Sequence, residues 1–474
     1  MALELGPIPT HLFQQSLDEG IIPKDWSMAN ICPLYKKGDR ALASNYRPVS
    51  LTCICSKLLE HVVCSNIMGL IDNHSILSDR QHAFRKFHSC ETQLCTVVND
   101  WAKALDKGER VDIFIMDLEK AFDTPPHELL KAKLYRYGIR GKTLNWINSF
   151  LCYRSQCVVV NGQKSRLSSV ASGVPQGTVL GPVLFSLYIN DMAEDINSEI
   201  RLFADDCVCY RSIQSTNDTK ILQADINRLG RWARKWGMRF QPVKCNMTTL
   251  SRKKALKYGN TYSLEGSVLE TVPSIKYLGV TITNDLKWNK HISNICLKAN
   301  RSLGLLRRNL SKCPQNVKET AYKGLIRPVL EYAGCVWDPA CANLQQELEK
   351  VQNRAARFVA SNYNYEPGSM TATLDALGWK SLKLRRREAR LILLYKGLNG
   401  EANIPINDLI KPNRKCKSHH DLTFRTLYAR TECFKSSFLP NTVRDWNNLP
   451  AQVIASAESA KDKVKTFTLK VKSE

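Results

Sequence analysis

Several features are missing from this sequence, and each absence removes a class of protein. No Cys-x-x-Cys spacing occurs among its 17 cysteines, so neither a paired zinc knuckle nor a thioredoxin-type redox motif is encoded. No basic-then-apolar leader opens the chain. Free thiols without a leader point to a reducing, intracellular setting, nucleus or cytoplasm. The longest apolar stretch, Val179 to Ile189, is broken by Gly181, Pro182 and Ser186. It is too short to cross a bilayer, and no membrane partner is expected. There is no internal repeat and no low-complexity tract. Cys416, His419, His420 and Cys433 form the only grouping that hints at a metal, and their irregular spacing fits chance better. Acid is also scarce, with 44 Asp and Glu against 68 Lys and Arg.

The resulting net charge of +24 favours a polyanionic partner. Nucleic acid fits best, because Lys and Arg that neutralise phosphates release counterions. Ribosomes or anionic lipid remain alternatives. The 474 residues exceed the usual ceiling for one core, and the 43% apolar content supplies two or three domains.

Periodicity divides the chain. Residues 1–20 read as a helix, Ala29 to Tyr35 as a strand, and Asn45 to Leu51 as extended. Helices are expected over 54–72, 89–107, 127–137 and 142–151. Val111 to Asp117 is a nearly continuous apolar run ending in a carboxylate, the pattern of a central strand buried on both faces. A strand over 156–161 ends in Asn161-Gly162, a strong hairpin signal. An apolar helix is expected to run to about Met192. Ile200 to Tyr210 reads as two short strands with Asp205-Asp206 at the tip. A helix carrying Leu222, Ile226 and Leu229 follows, then strands near 247–251, 261–264 and 275–283. Beyond about 284 the texture is helical. Six basic residues crowd 380–390, suited either to a duplex backbone or to a solvated face.

Three carboxylates stand out. Nucleotidyl transfer needs two divalent ions ~3.5–4 Å apart, held by hard oxygen donors. Asp117 at the end of one strand, and Asp205 and Asp206 at the tip beside it, would meet that need. Asp-Asp is common in turns for local reasons. The apolar run before Asp117 weighs against that reading, since a carboxylate there must be solvated, paired or metal-bound.

Seven blocks in order turn these residues into a family resemblance. They are Ile22-Pro23-Lys24-Asp25-Trp26 with Lys36-Lys37-Gly38-Asp39, Asn45-Tyr46-Arg47-Pro48-Val49-Ser50-Leu51, and Gln81-His82-Ala83-Phe84-Arg85. Next come Asp117-Leu118-Glu119-Lys120-Ala121-Phe122-Asp123 and Ser172-Gly173-Val174-Pro175-Gln176-Gly177-Thr178-Val179-Leu180-Gly181-Pro182. Phe203-Ala204-Asp205-Asp206 and Tyr277-Leu278-Gly279-Val280 complete them. The chain resembles the reverse transcriptase of non-LTR (LINE-type) retrotransposons along nearly its whole length.

The resemblance implies an α+β right-hand polymerase. Fingers and palm would span 1–283, a helical thumb 284–365, and a basic C-terminal region 366–474. It implies an RNA-directed DNA polymerase using an RNA template, a DNA primer and dNTPs, with two Mg²⁺ ions (Mn²⁺ as the alternative). Asp117, Asp205 and Asp206 would hold the metals, and Lys244 would protonate the leaving pyrophosphate. Lys36 and Arg47 would hold the triphosphate. Phe122 would lie under the sugar and exclude a 2′-hydroxyl. Gln176 and Gly177 would lie against the incoming nucleotide. Arg85 would meet the template, and Tyr277, Leu278 and Gly279 would grip the primer.

The sequence departs from the family at Ala83 to Ser89. The family reads Gly-Phe-Arg and then Gly-Arg-Ser, so two glycines and an arginine are replaced, and Ala83 is expected to be strained if its φ is positive. Thr124-Pro125-Pro126 carries an extra proline. The family usually has an endonuclease and a first fingers segment upstream. The expectation is therefore an N-terminally incomplete copy whose endonuclease acts in trans or lies upstream. A catalytically inactive, nucleic-acid-binding relic stays open beside the active enzyme. An RNA-dependent RNA polymerase or intron-type maturase would share the palm, but Phe122 argues against NTP use.

Overall fold

The computed structural model describes residues 4, 6–252, 261–409, 422–458 and 463–473. Nine strands frame the site. They are β1 (Met28–Tyr35), β2 (Tyr46–Leu51), β3 (Arg110–Asp117), β4 (Arg154–Val160), β5 (Gln163–Lys164), β6 (Ser168–Val170), β7 (Glu199–Phe203), β8 (Asp206–Ile213) and β9 (Asn246–Leu250).

The fingers sheet has the order β2-β1-β4-β5, with β6 returning on β4. Its β4–β5 hairpin turns through Asn161 and Gly162, both at positive φ (+50° and +81°). Asparagine and glycine tolerate that conformation, which is why the pair signalled a turn. The palm sheet has the order β9-β3-β8-β7, with Glu270–Thr271 on its outer edge. β3 is central, as its apolar run predicts, and Ile113, Phe114 and Met116 are fully buried. Both neighbours run antiparallel to it.

Helices cover the palm sheet. Cys90–Asp106 starts at a capping box, in which the Ser89 hydroxyl accepts from Thr92 N and Thr92 Oγ1 accepts from Ser89 N. Thr216–Lys235 buries Leu222, Ile226, Leu229 and Ala233, the face its spacing predicts. The apolar helix after Gly177 is shorter than expected. It spans Gly181–Tyr188 and gives way to a 3₁₀ turn over Asn190–Ala193.

Three features add to or correct the expectations. First, one helix, Ile54–Asn73, is long and apolar enough by length and composition to cross a membrane. Attention to the 179–189 stretch missed it. Here Leu59, Val63, Ile67 and Ile71 form a stripe turned into the core. Second, apolar packing continues across residue 365. One apolar cluster runs from the palm helix Cys90–Asp106 through Trp337 and Phe358 to Trp446 and Phe467.

Third, four of the six basic residues of 380–390 are taken up in ion pairs rather than left as free cations. Arg386 and Arg390 are buried and share Asp338, at 2.7 and 3.1 Å. Arg390 also pairs with Asp445 at 2.8 Å. Arg385 pairs with Glu331, and Lys380 with Glu388. The charges hold the helix Leu382–Leu398 against its neighbours. Among the described residues every cysteine is a free thiol. The grouping of Cys416, His419 and His420 lies outside the described residues.

Candidate active site

The β3–β8 register puts Asp117 directly opposite Asp206. β7 and β8 form a two-residue hairpin, Phe203 opposite Asp206, so Ala204 and Asp205 make the turn. Ala204 sits at φ +53°, a left-handed conformation that costs a non-glycine residue about 1–2 kcal/mol. The turn aims both aspartates toward the end of β3 that carries Asp117.

Like charges in this corner work against one another. The Asp206 carboxyl is pushed up to about 6, first by the surrounding protein mass and then by Asp205 and Asp117. Its side chain still reaches solvent. The Asp205 carboxyl is raised by burial and by Asp117, while Arg47 and Lys36 pull it down. Both cations are within electrostatic reach of Asp205, and each is exposed to solvent on the fingers hairpin. Lys244 comes in from the other side, its Nζ 3.4 Å from Asp117 Oδ2. The segment leading to it is stitched to the end of β3 by Gln241 N donating to Asp117 O, 2.9 Å.

Three carboxylates crowded together against mutual repulsion suit a cation, and their oxygens are hard donors. Among the described residues no three His, Cys, Asp or Glu side chains close around one point. An ion here would complete its shell with water and phosphate oxygens, the usual habit of Mg²⁺.

The loop after Asp117 is clamped by the segment 172–177. Val174 N donates to Phe122 O at 2.7 Å, Gly173 N to Pro125 O at 2.9 Å, and Ser172 Oγ to Asp123 O at 2.9 Å. A Cβ on Gly173 would lie 2.5 Å from Phe122 O, so glycine is required there. Phe122 is half-buried and stacks on Phe185, with ring centroids 4.4 Å apart. The Gln176 amide donates to Asp123 Oδ1 at 3.0 Å. Gly177, at φ +99°, lets the loop pass close to Ser50 of β2. Fingers and palm meet there through Ser50 N donating to Gln176 O, 2.7 Å.

Sequence reasoning missed a supporting residue in this loop. Glu60 is fully buried in the helix Ile54–Asn73 and accepts from Val179 N and Leu180 N, 2.7 and 3.1 Å. It ties down the two residues that precede the helix Gly181–Tyr188. Burial raises its carboxyl and those two N–H groups oppose the rise. Its spacing puts it on the buried stripe of its helix with Val63, Ile67 and Ile71, but its partners lie over a hundred positions away.

The remaining predicted residues lie apart from the aspartates' immediate corner. Arg85 is turned inward, donating to Ser78 O and Gln81 O at 2.8 and 3.2 Å, so its guanidinium ties a loop together. In that loop the positive φ values fall at Phe84 (+56°) and Phe87 (+65°), not at Ala83. Phe87 takes the left-handed backbone where the family has its second glycine. Leu278 and Gly279 form the tip of a hairpin. Tyr277 beneath them is buried, its hydroxyl receiving a bond from Gln93. Tyr332 of the helical half latches this hairpin by donating to Leu278 O, 2.9 Å.

A family model described as reverse transcriptase (RNA-dependent DNA polymerase) matches residues 34–282. The chain belongs to the reverse transcriptase family. The matched segment covers more than half of the chain and contains all three aspartates.

The family members it resembles come from mobile elements. It is 30% identical over 348 residues to a probable RNA-directed DNA polymerase from transposon X-element of Drosophila melanogaster, covering 71% of this chain and 38% of that protein. It is 29% identical over 364 residues to the RNA-directed DNA polymerase from mobile element jockey of the same fly, covering 74% and 39%. Lower identity, 21% over 336 residues, links it to a Pol polyprotein from type-1 retrotransposable element R2 of Popillia japonica, covering 64% and 46%. This reverse transcriptase chain thus spans about two-fifths of the length of the X-element and jockey relatives. Among solved structures, apo telomerase from Candida tropicalis aligns over 80% of this chain and 67% of that one, with 10% identity and a TM-score of 0.44. Reverse transcriptases as a family use divalent metals.

Proposed function

We propose that this chain is an RNA-directed DNA polymerase of a non-LTR retrotransposon, adding dNTPs to a DNA primer on an RNA template. The observation that carries the reading is the opposition of Asp117 and Asp206 across β3 and β8, with Asp205 beside them and Arg47 and Lys36 within its electrostatic reach.

In this reading Asp117 and Asp205 hold two Mg²⁺ ions, with Asp206 assisting. When bound, the ions acidify the primer hydroxyl and neutralise the leaving oxygen. Arg47 and Lys36 hold the triphosphate, Arg47 by forking onto phosphate oxygens. Lys244 supplies a proton to the departing pyrophosphate. Phe122, held by its stack on Phe185, lies under the sugar and rejects a 2′-hydroxyl. Gln176, oriented by Asp123, and Gly177 lie against the nucleotide. The hairpin at Tyr277, Leu278 and Gly279 guides the primer, with Gly279 exposed at its tip. Arg85 acts on the template by shaping its loop. An endonuclease supplied in trans or by a longer protein provides target cleavage.

Primer extension on an RNA template, with dNTPs and Mg²⁺, tests this. The wild-type chain should extend the primer, and an Asp205→Ala, Asp206→Ala double variant should not. Equal extension by both would sink the proposal. Salt-dependent duplex binding without any extension would instead mark an inactive relic.

A further inference from the structure

The catalytic turn is held from behind by a residue that no part of the proposed chemistry uses. Gln81 has 0% exposure. Its Oε1 accepts from two backbone amides, Ala83 N at 2.9 Å and Ala204 N at 3.3 Å. Both are N–H donors, so the amide orientation is set: a flip would turn NH₂ toward N–H. The backbone around it is continuous with the palm sheet. His82 N donates to Leu202 O at 2.9 Å, and Leu202 N to Arg80 O at 2.8 Å.

We infer that Gln81 is a positioning residue for the metal-binding aspartates, one side-chain oxygen joining the Ala204–Asp205 turn to the fingers loop 83–88. Three observations support this. Ala204 holds a strained left-handed φ immediately before Asp205, and a hydrogen bond to its amide stabilises that conformation. Gln81 Nε2 is buried with no partner. A buried orphan donor is costly, and such groups persist where another constraint keeps them. The loop itself is anchored at its far end, outside the palm. Asn403 N donates to Phe87 O at 2.9 Å, and Asn403 Nδ2 meets His88 Nε2 at 2.6 Å. The C-terminal region, the fingers loop and the catalytic turn are thereby linked in series.

The inference rests on the aspartates being metal ligands, as proposed above. Its test reads metal binding apart from polymerisation. Gln81→Met keeps the length and apolar bulk of the side chain and deletes the acceptor. Mn²⁺ binding to the full chain, followed by electron paramagnetic resonance without nucleotide or primer, should weaken about 10-fold. Asn403→Ala, at an exposed contact, should weaken it about 2-fold to 3-fold. In primer extension Gln81→Met should lower kcat about 10-fold to 100-fold and raise the Mg²⁺ requirement, with KM for dNTP little changed.

Unaltered Mn²⁺ affinity in a folded Gln81→Met protein would overturn the inference, whether or not the wild type polymerises. If wild-type Mn²⁺ binding is insensitive to Asp205→Ala, the proposed metal site fails instead. Should Gln81→Met not fold, amide exchange on the wild type decides. Ala83 and Ala204 amides should be protected, and exchange at open-turn rates would refute the link.

Discussion

At the scale of single residues, the aspartate cluster is electrostatically uncomfortable when empty. Asp206 ionises less readily folded than unfolded, since its carboxyl is pushed up to about 6. The sign of the linkage follows. Its charge opposes folding at neutral pH, and the penalty disappears below about pH 4, where both states are protonated. Asp206→Asn should therefore stabilise the metal-free protein at pH 7–8 by about 1 kcal/mol. That figure discounts the full shift because the side chain reaches solvent. Denaturant melts at pH 7.5 and pH 4 check it: the gain should appear only at the higher pH. Phe122 belongs to the same scale. Phe122→Val removes the ring but leaves Phe185 to fill the pocket floor. It should raise the rNTP-to-dNTP incorporation ratio about 10-fold to 100-fold. An unchanged ratio in competitive primer extension would contradict the role given to the ring. Asp117, Asp205 and Phe122 were legible as candidates in the sequence because their family blocks are local. Gln81 and Glu60 were not, because their partners lie more than a hundred positions away.

At the scale of elements, the site depends on one turn being clamped by another. Gly173 presses its Cα against the Phe122–Asp123 backbone, and a methyl group has nowhere to go. Gly138 has a similar positive φ, +90°, but open space around it. Gly173→Ala should cost about 3 kcal/mol and Gly138→Ala about 1 kcal/mol, the difference being the steric clash rather than the dihedral. Chemical denaturation of both variants separates the two effects, and equal losses would remove the clash. Strands and helices with clean periodicity were readable in advance, β3 and Thr216–Lys235 among them. The Lys380-to-Arg390 stretch was misread because charge density in a sequence does not say where the counter-ions are. Asp338 and Asp445 lie 48 and 55 positions from the arginines they neutralise.

At the scale of the whole molecule, the helical half and the palm share a core. Tyr395 stacks on Phe467 at 4.1 Å, and Trp446 is fully buried beside them. The helix Cys90–Asp106 packs against that same cluster. It is also pinned by Asp408 to Lys103, 2.8 Å, and by Asp106 to Thr431, 2.8 Å. A chain ending at residue 365 would bare many large side chains, each stabilising by about 1.5–3 kcal/mol when buried. Such a truncation should lose the cooperative thermal transition followed by near-ultraviolet circular dichroism. A cooperative melt at the wild-type temperature would show that 366–474 is a separate unit after all.

Sequence alone determined the family, the three candidate aspartates and the strand that carries Asp117, because ordered motifs and a buried apolar run are properties of neighbours along the chain. Tertiary structure decided what no window could. It set Asp117 opposite Asp206 and turned Arg85 inward. It buried Arg386 and Arg390 as partners for distant acids, and it brought Gln81 under the turn at Ala204. Except at Arg85, whose partners Ser78 and Gln81 are near in sequence, the deciding partner lies far along the chain, and only packing brings it within hydrogen-bond or Coulomb range.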